Sequence, residues 1–144
     1  MKKDLKIVRV SPNVPMPKYD LAGDAGFGLY VGEQLTLAPM ERASVNSGFK
    51  VEIPKGCVGI IYERSGLSHK HGIITFGNVI DSGYRGEIHV GVINLGKDPY
   101  TFELGNKIAQ MIIHSYEEVN FVEAKEGGLS ASERGERGFG STGK

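Results

Sequence analysis

Apolar and polar residues alternate with a period of two along several short stretches: Lys6 to Val10, Lys50 to Ile53, Val58 to Tyr62, Glu87 to Val92 and Lys107 to His114. An extended chain sends successive side chains to opposite faces, so this pattern predicts strands with one face buried. Turn-forming clusters separate them, among them Asn46-Ser47-Gly48, Pro54-Lys55-Gly56, Asp81-Ser82-Gly83 and Leu95 to Pro99, at the spacing expected of a sandwich or barrel. Only Arg64 to His71, polar and free of β-branched residues, predicts a helical turn or two. No βαβ alternation is visible, and the pattern predicts an all-β fold, a jelly-roll-like or distorted β-barrel with one short helix.

Composition narrows the class. Of 144 residues 21 are glycine, about twice the usual ~7% share, and with 24% charged residues that indicates many turns rather than disorder. Seventeen basic side chains balance seventeen acidic ones, so the electrostatic footprint of a duplex-binding protein is missing and no nucleic-acid partner is expected. The single cysteine, Cys57, can form neither an intrachain bridge nor a zinc site, and reads as a small core side chain. No apolar run approaches the ~20 residues of a membrane span, and the start MKKDLKIVRV lacks the unbroken apolar region of a signal peptide. A reducing, cytoplasmic setting without a membrane partner is the expectation.

From Lys125 the composition turns to glycine, serine and charge, which divides the chain into a β-barrel body, residues 1–124, and a flexible C-terminal tail, residues 125–144. Phe139 stands alone among glycines, with Arg134, Arg137, Ser141 and Thr142 beside it, a mixture suited to a flat ring and a phosphate. Gly138 to Lys144 spells the beginning of a phosphate-binding Walker loop, but no strand precedes it and no helix follows, so the match is rejected.

Two internal segments carry chemistry. In Glu63-Arg64-Ser65-Gly66-Leu67-Ser68 an arginine, a hydroxyl and a glycine offer a bidentate cation, an O–H donor and an unobstructed N–H to a phosphate chain. Alternatively, Ser65 is simply a helix N-cap. In residues 77–94, GNVIDSGYRGEIHVGVIN, Asp81 reads on its own as a turn carboxylate and Tyr84 as a partly buried ring. The four histidines show no metal-ligand spacing.

Together with AGDAGFGLY (22–30), GNKIAQMII (105–113) and RGERGFGSTG (134–143), these segments, in this order, resemble the five motifs of the trimeric deoxyuridine triphosphate nucleotidohydrolases (dUTPases). The resemblance covers nearly the whole chain. It implies hydrolysis of dUTP to dUMP and pyrophosphate, with Asp81 as the general base for a water attacking the α-phosphorus. Mg²⁺ would arrive chelated by the phosphates, so no direct protein ligand is implied. Arg64, Ser65 and Gly66 would hold the α- and β-phosphates, and Gln110 would lie near the α-phosphate and sugar. Arg134, Gly140, Ser141 and Thr142 would close over the γ-phosphate while Phe139 covers the uracil. A hairpin around Gly77, Asn78 and Ile80 would read the base through backbone groups, and Tyr84 would lie against the deoxyribose, leaving no room for a 2′-hydroxyl. Such enzymes are homotrimers with shared sites, the tail of one chain crossing to a site between two others, and the resemblance implies the same here.

The chain departs from the family pattern at Gly28, where an aspartate contacting the metal's water shell is usual; Asp24 is the nearest substitute. Glu63 precedes Arg64 and is placed to neutralise it in part, Gly83 replaces an acidic residue, and Asn106-Lys107 replaces an Asp-Arg pair in what reads as a structural change. A catalytically weak, dUTP-binding regulatory homologue is therefore the second reading. The sister activity, dCTP deamination, needs a glutamate in the strand after the Asp81 turn, where this chain has Gly91.

Overall fold

The computed structural model describes residues 3–138. Its elements are β1 (Lys6–Arg9), β2 (Phe27–Tyr30), β3 (Leu35–Leu37), β4 (Arg42–Glu52), β5 (Cys57–Tyr62), α1 (Ser65–His71), β6 (Ile73–Phe76), β7 (Val79–Ile80), β8 (Glu87–Asn94), β9 (Tyr100–Phe102) and β10 (Lys107–Ser115). Two four-stranded antiparallel sheets run β1-β4-β8-β6 and β2-β10-β5-β7, and β3 pairs with β9 in a small third sheet. The fold is all-β and jelly-roll-like, with one short helix, as the alternation predicts; among the described residues neither large sheet closes on itself.

The core lies between the two large sheets. Val51, Ile88, Val90 and Val92 from one meet Leu29, Ile61, Ile108 and Met111 from the other in a single cluster, each such side chain worth about 1.5–3 kcal/mol when fully buried. Cys57 belongs to this cluster, as a small core residue should. No helix of the described residues is long and apolar enough to cross a membrane.

Three local features differ from the alternation reading. Asn46-Ser47-Gly48 does not end a strand: Gly48, at φ +76°, makes a bulge between Asn46 and Lys50 in the pairing of β4 with β8, and the eleven-residue strand runs on. Strand β2 has all four residues buried, so it carries no period-two signal, and β3, β7 and β9 are two or three residues long, too short to show one. Finally, the helix cap lies one residue before Ser65. Arg64 is the N-cap, with φ −90° and ψ 130°, and makes no side-chain cap bond, so Ser65 is the first helical residue rather than the cap. The helix ends at Gly72, φ +71°; a Cβ there would stand 2.6 Å from the Gly96 backbone nitrogen, which only glycine avoids.

Candidate active site

The end of β5 sets the first part of the site. Beyond Tyr62 the chain stays extended through Arg64 before turning into α1, and β10 runs alongside with Gln110 opposite Tyr62. The Gln110 amide donates from Nε2 to the Glu63 carbonyl at 3.1 Å. Its other end rests on Gly26, where a Cβ would lie 2.7 Å from Gln110 Oε1. The carboxamide is thus fixed between a carbonyl and a glycine backbone. Arg64, Ser65, Gly66 and Gln110 line a cleft of about 650 Å³, and a second cleft of about 320 Å³, with Asp20, Asp24, Gly26 and Gly28 on its walls, shares Arg64 and Gln110.

The helix start leaves its polar groups available. Leu67 and Ser68 both donate to the Arg64 carbonyl, which leaves the Ser65 and Gly66 N–H groups without an intrahelical acceptor. Among the described residues the Ser65 hydroxyl makes no hydrogen bond; it is the Ser68 hydroxyl that donates, to the Ser65 carbonyl at 3.3 Å. A Cβ on Gly66 would meet nothing within 4 Å, so a side chain there would project into the cleft without disturbing the fold.

Glu63 and Arg64 form no ion pair among the described residues. Glu63 Oε2 accepts from the Thr75 hydroxyl at 3.3 Å, and Thr75 in turn accepts from Asn78 Nδ2 at 3.0 Å. The carboxylate thus points to the buried Thr75 rather than into an ion pair with the guanidinium.

The second group is held elsewhere. Gly77 and Asn78 form not a hairpin but a corner: β6 pairs with β8 in one sheet and β7 pairs with β5 in the other. Gly77, at φ +66°, allows that change of sheet. The Asn78 carbonyl accepts from Ile61 N–H at 2.9 Å, while Asn78 Oδ1 is buried with no partner among the described residues. Ile80 is buried, and Asp81 opens a turn closed by Tyr84 N–H donating to the Asp81 carbonyl at 3.1 Å. Arg85 braces this turn from inside, donating to the carbonyls of Ser82 and Tyr84 at 2.7 and 2.8 Å. The Asp81 carboxylate accepts no hydrogen bond among the described residues and is exposed, so the turn stands without it. Tyr84 donates its hydroxyl to the Glu87 carbonyl at 2.8 Å and lies over Gly86, where a Cβ would come within 2.5 Å of the ring's Cζ.

The two groups do not meet within one chain. Ile80 pairs with Gly59, so Asp81 stands level with Val58, and Arg64 lies six residues further along, about 20 Å at ~3.3 Å per extended residue. Arg134 joins neither group; its Nε donates to the Arg137 carbonyl at 3.0 Å. After Ser115, paired with Cys57, and Tyr116, whose N–H donates to the Gly56 carbonyl at 3.2 Å, residues 117–137 are exposed throughout, Phe121 at 97%. Phe139, Gly140, Ser141 and Thr142 lie outside the described residues.

Lys107 and Asp20 line the two clefts, and the sequence reading assigned neither to them. Strand alternation puts residues three apart on opposite faces, which separates Lys107 from Gln110. In the structure Lys107 pairs with Tyr30 and Ala109 with Leu29, an extra residue on β10 that turns Lys107 to the same side as Gln110. Its ammonium forms an ion pair with Asp20, and this hydrogen bond is the main cause holding the Asp20 carboxyl below its usual value.

Comparison with known proteins fits this arrangement. The sequence model of one family, described as dUTPase, matches residues 12–143. Deoxyuridine 5′-triphosphate nucleotidohydrolases of Mycobacterium leprae and Thermobifida fusca are each 42% identical to this chain, the first over 99% of it and 97% of the relative, the second over 96% and 78%. Among solved structures, a point mutant of the dUTPase of phage 80alpha superposes with a TM-score of 0.89 at 28% identity, covering 99% of this chain and 100% of the other. The Staphylococcus bacteriophage 80alpha dUTPase with dUpNHpp superposes at 0.86 and 30% identity, with the same coverage. Since the family match spans residues 12–143 and two 42% identical relatives cover 96% and 99% of the chain, the chain belongs to the dUTPase family.

Proposed function

We propose that this chain hydrolyses dUTP to dUMP and pyrophosphate, as a homotrimer of the cytoplasm whose active sites are shared between copies. The reading rests above all on the cleft that gathers the Arg64 guanidinium, the Ser65 hydroxyl, the Gly66 N–H and the Gln110 amide around one space, in a chain of this family. These groups are donors with no acceptor charge among them, suited to a polyphosphate. Relatives carry the dUTP nucleotidohydrolase name, and the phage enzyme binds a dUTP analogue.

Geometry supports the sharing. A general base works within about 2.6–3.2 Å of the water it deprotonates, so Asp81 cannot serve a phosphate held by the Arg64 of its own chain. A second copy has to bring its Asp81, Tyr84 and Gly77–Ile80 corner to the first copy's cleft. The tail, whose described stretch 125–137 is exposed, would supply Arg134, Phe139, Gly140, Ser141 and Thr142 as a cover from a third copy.

At the assembled site the Asp81 carboxylate takes a proton from water as the water oxygen bonds to the α-phosphorus. The bond from that phosphorus to the α,β-bridging oxygen breaks, and pyrophosphate leaves. Arg64, the Ser65 hydroxyl and the free N–H groups of the helix start stabilise the charge that develops on the phosphate oxygens. A Mg²⁺ carried in by the phosphates would need no direct protein ligand, and Asp24, on the wall of the smaller cleft, would be the carboxylate facing its waters. When bound, that ion supplies charge neutralisation and orientation of the phosphate chain.

Base and sugar selection fall to the second copy. The Gly77–Ile80 corner would read uracil through backbone groups, and cytosine, which reverses the polarity at N3 and at the 4-position, would leave buried groups unpaired. Tyr84, fixed by its bond to Glu87 and its seat on Gly86, presents a rigid ring to C2′ of the sugar. Pyrophosphate release with dUTP, dTTP, dCTP and UTP side by side tests the reading. We expect kcat/KM on dUTP to exceed the others by ~10²-fold or more; equal rates on all four would contradict the slot, and tight dUTP binding without release would favour the regulatory homologue.

A further inference from the structure

The cleft contains a second cation that is already paired in the free chain. Lys107 lies across Gly28: a Cβ at position 28 would stand 3.0 Å from both Cδ and Cε of the lysine. Glycine at this position therefore makes the path along which the lysine stem runs. The side chain is only 22% exposed, and its ammonium sits 6.0 Å from the centroid of the Tyr30 ring, so the stem is packed while the charge reaches the cleft. That cleft is walled by Arg64, Ser65 and Gln110 as well as Lys107. Asp20, 49% exposed, closes the ion pair from the wall of the adjoining cleft.

We infer that Lys107 is a phosphate-binding residue, held by Asp20 in the free chain and released to the ligand when a polyphosphate displaces that carboxylate. The inference rests on the reading that this cleft receives a triphosphate. An exposed carboxylate is a weak competitor, because solvent screens it and its own hydration recovers much of what it loses on leaving. A triphosphate brings several charges and forms charge-assisted bonds to Lys107 and Arg64 together. A monophosphate brings fewer charges and competes less well. The pair therefore favours substrate over the monophosphate product, and it gives Lys107 a chemical role that its position opposite Tyr30 in a strand does not announce. Its effect on Asp20 has a definite sign: the ion pair lowers the carboxyl's pKa in the free chain, and transfer of Lys107 to a phosphate raises it again.

The test is the affinity of the trimer for dUpNHpp, dUMP and inorganic tripolyphosphate in the parent, Lys107→Met and Asp20→Asn, with circular dichroism melts to compare folding. Lys107→Met keeps the packed stem and removes the charge. It should weaken dUpNHpp and tripolyphosphate about tenfold or more, the scale of one hydrogen bond to a charged group, and change dUMP by less than about threefold. Asp20→Asn removes the competitor and should tighten both polyphosphates severalfold, the opposite direction. If Asp20→Asn weakens them as Lys107→Met does, the pair is a structural brace and the inference is overturned. It is also overturned if Lys107→Met binds dUpNHpp like the parent, an outcome that leaves the dUTP reading intact. Lys107-dependent binding of tripolyphosphate with no binding of dUpNHpp would instead support the inference and sink the dUTP reading.

Discussion

Replacing Asp81 by asparagine is expected to lower the rate of pyrophosphate release from dUTP by ~10²–10⁴-fold, the usual contribution of a positioned general base. Asparagine keeps the size of the side chain and loses the site that accepts the proton. The loss should fall on kcat, because the group acts on the water rather than on the bound ligand. Stability should hardly change. The Asp81 turn is closed by backbone, Tyr84 N–H to the Asp81 carbonyl, and braced by Arg85. The carboxylate itself bonds nothing among the described residues and is exposed. A melting curve and a dUpNHpp titration matching the parent, beside a collapsed single-turnover rate, is the expected result. Turnover within a factor of a few of the parent would assign the base to another residue.

Truncation after Glu133 should have an effect of similar size by another route. It removes Arg134 together with Phe139, Gly140, Ser141 and Thr142. An aromatic over a base is worth about 1–3 kcal/mol, and a hydrogen bond to a charged phosphate about 1.5–3 kcal/mol. Even partial loss of the set implies a drop in kcat/KM of ~10²-fold or more. The body should fold unchanged, since β10 ends at Ser115 and residues 117–137 are exposed, so among the described residues no core contact is cut. Unchanged kinetics in the truncated chain would remove the tail from the mechanism.

The sequence made the fold class legible because most long strands here have one buried face. It was silent on β2, whose four residues are all buried, and misleading at Gly48, where a glycine that looks like a turn is a bulge within β4. Arg64, Ser65, Gly66 and Gln110, which share one cleft, stand out in the sequence because they are chemically conspicuous and close to strand ends. Asp20 and Lys107 do not. Their partnership spans 87 positions in the chain, and Lys107 faces the cleft only because of a bulge beside Ala109, which alternation has no means of showing. Gly26 was hidden for a related reason: what matters is the missing Cβ under Gln110, and its significance exists only once β2 and β10 are paired. The resemblance implies a hairpin at Gly77–Ile80, and only the strand pairing shows that the chain changes sheet there. The separation of Asp81 from Arg64 follows from the pairing of β7 with β5, which no pattern along the chain reveals.

That separation is the central claim, and mixing two inactive chains tests it most directly. Asp81→Asn lacks the base and Arg64→Ala lacks the phosphate cation, so each homotrimer should be inactive. In trimers reassembled from an equal mixture, a site that draws Asp81 and Arg64 from different copies finds both intact in about one case in four by random assortment. Recovery of dUTP hydrolysis to about a quarter of the parent rate is the predicted result. Activity in the mixture no higher than in the two separate variants would place both residues in the same chain's site and contradict the account.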